Sequence, residues 1–228
     1  MSHDRVEAVE RALTLLEAFG QSSADELSLA QLAARTGYYK STILRLSRSL
    51  ERFGYLTRSA GGGFRLGPSL WRLGSRYRRD FDLGESVRPH LRRLRDALGE
   101  TASFYVRDGE LRVCLYRLNA TRGIIHNLEE GAQLPLDKGA AGRVLVAYGA
   151  RPGEGYDRIR SQGYCLSRGE RDPEIAAVAV PVLSDDGALR GALAVSGPVS
   201  RFNDDLVARS ASLLGQAARE LGLRLSGL

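Results

Sequence analysis

The stretch TGYYKSTILRLSRSL, Thr36 to Leu50, gathers residue types that can hold an anion. Lys40, Arg45 and Arg48 supply positive charge, Ser41 and Thr42 hydroxyl donors, and Tyr39 a phenol. At 100° per residue, Ser41, Arg45, Arg48 and Arg52 fall on one side of a helix, and Ile43, Leu46, Leu50 and Phe53 on the other. A helix of this kind fits the major groove of duplex DNA, where arginine pairs with guanine edges or phosphates. Its N-terminal amides can donate to a phosphate. Arg58 and Arg65 follow on either side of Ala60-Gly61-Gly62-Gly63, placed to reach the DNA backbone or a minor groove. From Ser28 to Arg79 eleven cations face a single acid, Glu51; this local balance of +10 within a net charge of +6 leaves −4 for the rest of the chain. Such asymmetry suits an N-terminal part made for a polyanion and a C-terminal part with another task, although a basic solvated surface has the same count.

The other chemistry-bearing residues form no reactive set. His3, His90 and His126 have no metal-site spacing. Cys114 and Cys165 form no CxxC pair and read as buried small hydrophobes in a reducing compartment. The run "GGGF" lacks the Lys-Ser/Thr of a phosphate loop, and "LSDDG" reads as a hairpin turn. A Cys–His pair has no third group to activate it. The expectation is that the protein is not an enzyme and uses no cofactor. An enzymatic C-terminal sheet domain carrying an accessory DNA-binding head is the alternative.

The elements that must position these residues can be read from the pattern. Apolar residues at helical spacing mark a helix from Val6 to Phe19. Ser28 caps a second helix that Gly37 ends. The third runs from about Lys40 to Phe53. Tyr55, Thr57, Phe64 and Leu66 then form a hairpin. Three helices and a hairpin make a winged helix-turn-helix. Gly67-Pro68 opens a helix with Leu70, Leu73, Tyr77 and Phe81 on one face and Trp71 beside it. That helix packs either on a partner chain or on its own second domain. Beyond it, Val87–Leu98 reads as a helix, and 101–106, 111–118 and 123–128 as strands. Helices follow near Lys138–Tyr148 and Gly153–Gln162. Strands at Ile175–Leu183 and Ala188–Ser196 and a helix from Asp204 to Leu225 complete the chain. The fold class is α+β. No apolar run reaches the length of a membrane span, and the N-terminus lacks the features of a signal peptide, so a cytoplasmic protein is expected.

The phrases "RALTLLEAF", "LSLAQLAARTGYYKSTILRLSRSLERFGYL" and "FRLGPSLWRLG" resemble the IclR family of bacterial transcriptional regulators. The likeness continues through "GAQLPLDKGAAGRVLVAY" and "AVAVPVLSDDGALRGALAVSGPVSRF". It implies a winged helix-turn-helix DNA-binding domain at 1–67, a linker helix for dimerisation at 68–82, and a GAF-like antiparallel sheet with flanking helices at 83–228. It further implies binding to a palindromic operator in double-stranded DNA as a homodimer or homotetramer, modulated by a small-molecule effector. Lys40, Ser41, Thr42 and Arg45 match the family's DNA-contacting turn and helix, and Arg11 a further backbone contact. Tyr38 takes an aliphatic position in the turn, so it is expected to pack between helices. Tyr39 replaces a Pro or Ser and is expected to be exposed beside a phosphate. The positions matching the effector pocket are His126, Leu134, Ala140, Ala141, Ser167, Ala177, Ala194 and Ser196. Their low polarity suggests a catabolic carboxylic acid with an aromatic or otherwise partly hydrophobic body. His126, Lys138 or Arg122 would pair with its carboxylate.

Overall fold

The computed structural model describes residues 5–20, 24–80, 83–120, 128–149 and 156–225, with the backbone alone at 77–80. The chain divides into two compact units, Met1–Asp80 and Phe81–Leu228.

The first unit contains α1 (Glu7–Gly20), α2 (Leu29–Thr36), α3 (Lys40–Arg52), the strands β1 (Leu56–Arg58) and β2 (Phe64–Leu66), and α4 (Pro68–Asp80). A capping box starts α2: Ser28 Oγ accepts from the Gln31 amide at 3.2 Å, and the Gln31 side chain accepts from the Ser28 amide at 2.8 Å. Gly37, at φ 72°, closes that helix with its amide donating to the Ala33 carbonyl. The short turn that results fixes the start of α3. Leu15, Phe19, Leu27, Leu32, Ile43, Leu50, Leu56 and Phe64 form the core. β1 and β2 pair antiparallel with Thr57 opposite Arg65.

The apolar pattern overstates burial in two places. Phe53 is 67% exposed: it stands at the C-cap of α3, where the chain leaves the helix and Leu50 and Leu56 have already closed the core. On α1, burial falls on Leu15, Ala18 and Phe19, while Val9, Leu13 and the preceding Val6 face outward.

The second unit contains α5 (Leu83–Leu98), β3 (Thr101–Asp108), β4 (Leu111–Leu118), β5 (Gln133–Pro135), α6 (Ala140–Ala147), α7 (Asp157–Gln162), β6 (Cys165–Arg168), β7 (Ile175–Leu183), β8 (Leu189–Pro198) and α8 (Asp204–Arg224). Six strands form one antiparallel sheet in the order β5-β4-β3-β8-β7-β6. β5 and β6 are additions to the pattern read from sequence. The expected strand at 123–128 lies outside the described residues except for Leu128, which is buried and not in a strand.

Alternation along the strands gives the sheet two unlike faces. One carries Phe104, Val178, Val180, Leu193 and Val195 and is covered by α5 and α8. The other carries Tyr105, Cys114, Ala179, Ala192 and Ala194 and packs against α6. The large residues of the first face fill the space beneath two long helices. The alanines of the second let α6 approach while leaving room beside it.

The junction of α5 and α8 contains a titratable group. His90 is buried; Arg93 Nη2 lies 2.8 Å from its Nδ1 and donates also to Glu220 Oε2 at 2.8 Å. Burial, then the charges of Arg93 and Arg224, hold the His90 pKa below its usual 6.5, with Glu220 opposing them. The folded state therefore keeps His90 neutral where the unfolded chain begins to take a proton. Its contribution to stability is complete above about pH 6.5 and declines as pH falls through the window below. Urea midpoints should drop on acidification across that window, and His90→Gln should flatten the drop. Equal slopes for both proteins would remove His90 as the cause.

No helix among the described residues is long and apolar enough to cross a membrane.

Candidate functional site

In the first unit, α3 presents Lys40, Ser41, Arg45, Arg48 and Arg52 to solvent, with Thr42 half-buried. Among the described residues, Lys40, Arg45, Arg48 and Arg52 make no ion pair. Tyr39 is the N-cap of α3 and its side chain caps nothing, so no side chain blocks the first amides of the helix. Tyr39 is 85% exposed, whereas Tyr38 is half-buried against the core. Arg11 pairs with Glu7, and its guanidinium sits 5.7 Å from the centroid of the Tyr38 ring. The wing arginines are engaged: Arg58 with Glu51 at 3.0 Å and over Phe64, Arg65 with Glu26 at 3.2 Å. Exposed pairs of this kind hold weakly and can exchange for phosphate.

In the second unit, a pocket lies between the small-residue face of the sheet and the start of α6. Leu134, Ala140, Ala141, Ser167, Ala177, Ala194 and Ser196 all line it. Strand register explains the convergence. Ser167, Ala177 and Ser196 are successive partners across β6, β7 and β8. The next row toward β4 runs Cys165, Ala179, Ala194, Ser103 and Arg117. At the helix end, the Ala140 amide donates to Ser167 Oγ at 3.1 Å, and the Gly139 amide to Glu170 Oε2 at 2.9 Å. Glu170 also pairs with Arg143 at 3.3 Å. Of the remaining candidates, His126 and Arg122 lie outside the described residues. Lys138 is exposed and does not line the pocket.

The sequence reading overlooked two buried arginines in this wall, Arg112 and Arg117, 4% and 8% exposed. They stand five residues apart on β4, a spacing that strict alternation sends to opposite faces. A bulge reverses the phase: Phe104 pairs with Tyr116 but Tyr105 pairs with Cys114, leaving Leu115 extra. Arg112, Cys114 and Arg117 therefore share the pocket face. The available signal was the pair of arginines inside the otherwise apolar strand LRVCLYRL.

Both cysteines are buried, and burial pushes each thiol up to about 11, the reverse of an activated nucleophile. Among the described residues no group of His, Cys, Asp and Glu can hold a metal ion.

Comparison with known proteins agrees with this architecture. Residues 8–60 match the family model of the IclR helix-turn-helix domain. Residues 75–156 and 153–223 match that of the bacterial transcriptional regulator IclR C-terminal domain. The chain is similar to the HTH-type transcriptional regulator BhcR of Paracoccus denitrificans, 28% identical over 97% of this chain and 88% of the relative. The Pca regulon regulatory protein of Pseudomonas putida is 27% identical over 98% of this chain and 86% of its own. An IclR transcriptional regulator from Alicyclobacillus acidocaldarius superposes with a TM-score of 0.81 at 25% identity, covering 98% of this chain and 100% of the other. An IclR homologue from Microbacterium hydrocarbonoxydans, solved with 4-hydroxybenzoate, shares the fold with a TM-score of 0.79 at 21% identity, covering 97% and 100%. All the named relatives are regulators rather than enzymes, and since the matched models span nearly the whole length, the chain belongs to the IclR family of DNA-binding bacterial transcriptional regulators.

Proposed function

We propose that this regulator binds a palindromic operator through α3 and the wing, and that a small carboxylic acid with an aromatic or otherwise apolar body controls that binding from the pocket beside α6. In this reading residues 1–67 contact DNA, 68–82 join two copies and 83–228 receive the effector, all in the cytoplasm. Arg11, Tyr39, Lys40, Ser41, Thr42, Arg58 and Arg65 hold phosphates, while Arg45 and Arg48 face the base edges.

The effector part rests on one observation: seven alanine, leucine and serine positions surround a single pocket whose remaining wall includes Arg112, Arg117 and Arg171 beside Glu170 and Asp172. An apolar patch of leucine and alanines beside a charged one suits a ligand with an apolar body and one charged end. The 4-hydroxybenzoate found in a homologue of the same fold is such a molecule. Pairing of two copies is supported by the apolar residues left outward on the first unit, Val9 and Leu13 of α1, Val6 just ahead of it, and Trp71 and Leu73 of α4.

A thermal-shift screen tests the effector. Benzoates and phenylacetates should raise the melting temperature of the full chain and alter its affinity for operator DNA. Response to short oxo-acids alone would overturn the apolar body, and response to no carboxylic acid would overturn the effector class. Native mass spectrometry should give a dimer or a tetramer; a monomer would remove the linker's role.

A further inference from the structure

The cation wall of the pocket carries an inference that rests on the effector reading above. Arg112 Nη1 donates to the carbonyls of Pro135 and, at 2.6 Å, of Lys138. Its Nε is buried and has no hydrogen-bond partner, and among the described residues Nη2 has none either. No ion pair joins Arg112 to an acid among the described residues. The two carbonyls and the Tyr105 ring, 5.6 Å away, hold the guanidinium in place. Gly142 makes this seat possible: a Cβ there would overlap Arg112 Nη1 and come within 2.5 Å of the Leu136 carbonyl oxygen.

A buried guanidinium without a counter-charge is costly, and an anion that pairs with it offsets that cost. Burial, and then the nearby Arg171, draw the Arg112 pKa below its usual value, with Tyr105 and Asp137 opposing them. The helix end offers an incoming acid less, because the Gly139 and Ala140 amides are already taken by Glu170 and Ser167. The edge of Arg112 that lacks a protein partner, Nε and Nη2, has the geometry that meets a carboxylate at two points.

We infer that Arg112 is the specificity-determining residue of the pocket, pairing with the carboxylate of the effector and selecting acids over their neutral analogues. The guanidinium is already fixed by backbone carbonyls, so little ordering is lost on binding. The apolar body of the ligand then lies along Leu134, Ala140, Ala177 and Ala194.

Calorimetry on the full chain with benzoate, 4-hydroxybenzoate and phenylacetate, each beside its primary amide, tests this. Wild type should bind at least one acid about 10-fold or more tighter than its amide. Arg112→Gln should weaken that acid by about 10- to 100-fold and leave the amide unchanged. Arg112→Lys keeps the charge without the two-point edge and should retain part of the preference, which keeps the question open to measurement where the glutamine variant does not fold. Equal loss for acid and amide would make Arg112 a structural prop, and unchanged binding would remove it from the site. If wild type binds none of the acids, the effector reading itself fails, and this inference with it.

Discussion

Replacing Gly222 with alanine is expected to destabilise the second unit by about 2 kcal/mol and to lower its melting temperature by roughly 4–8 °C. Two effects compete. Alanine in a helix interior is favoured over glycine by about 1 kcal/mol. Against this, α8 lies on β7 so closely that a Cβ at Gly222 would overlap the carbonyl oxygen of Leu183. A backbone carbonyl in a strand cannot rotate aside, so the helix must lift from the sheet and loosen Leu221 and Leu225, both buried. Overpacking costs about 1–3 kcal/mol where a side chain can yield, and here the obstacle is main chain. The same helix contains its own control. A Cβ at Gly215 meets only the Arg219 guanidinium at 3.6 Å, an ordinary contact at the end of a flexible side chain. Gly215→Ala should therefore be neutral or stabilising, and in thermal denaturation only Gly222→Ala should lower the melting temperature. A matching drop in both would mean that glycine is needed for something other than close approach.

The sequence discloses elements where a local signal and a long period coincide. Ser28 with Gln31, Gly37, and Pro68 at the start of α4 each mark a helix end within a residue or so. β4 and β7, eight and nine residues long, begin and end where their apolar runs do. β5 and β6, three and four residues long, are too short for alternation to register, whereas the equally short β1 and β2 are marked by the glycine run between them. Pro135 stands just ahead of the helix expected near Lys138–Tyr148. It sits opposite Leu111 in β5, at the edge of the sheet, where a residue without an amide hydrogen is tolerated. α5 begins four residues before the expected Val87 and carries Pro89 within it, held by Leu83, Val87, Leu91, Leu94 and Leu98 against the sheet. Tertiary burial there outweighs a local breaker.

The candidate pocket was legible to a different degree on its two walls. The apolar wall came from likeness to a family, position by position, and strand register brings those residues together. The arginine wall was illegible because its visibility depends on one bulge. A one-residue insertion in β4 reverses which side chains face inward, and no periodic pattern announces it. The exposed cationic stripe of α3 needed no such correction, because one helix carries every residue of it and helical phase is set by the backbone alone.

That stripe leads to the largest functional effect. Arg45→Ala should weaken binding to an operator selected from randomised duplex DNA by roughly 5- to 150-fold, the range for losing one two-point contact to a base. It should also relax preference at one position of each half-site. Arg48 lies one turn further along the same exposed side, so the double variant should approach non-specific affinity. Tyr39→Phe removes only a phenol at the mouth of the helix, and a modest loss, uniform across sequences, is expected. The salt slope separates the two roles. A phosphate contact contributes about one unit to the dependence of log affinity on log salt, whereas a contact to a base edge contributes little. Arg45→Ala acting equally on all sequences and shallowing the slope by about one unit would reassign Arg45 to the backbone. No change from either arginine would move the reading face off α3. Arg58 and Arg65 should behave as phosphate contacts with a built-in competitor, since each must first leave Glu51 or Glu26. Glu51→Gln and Glu26→Gln should therefore tighten operator binding at every sequence and steepen its salt dependence, while leaving the preference set by Arg45 unchanged.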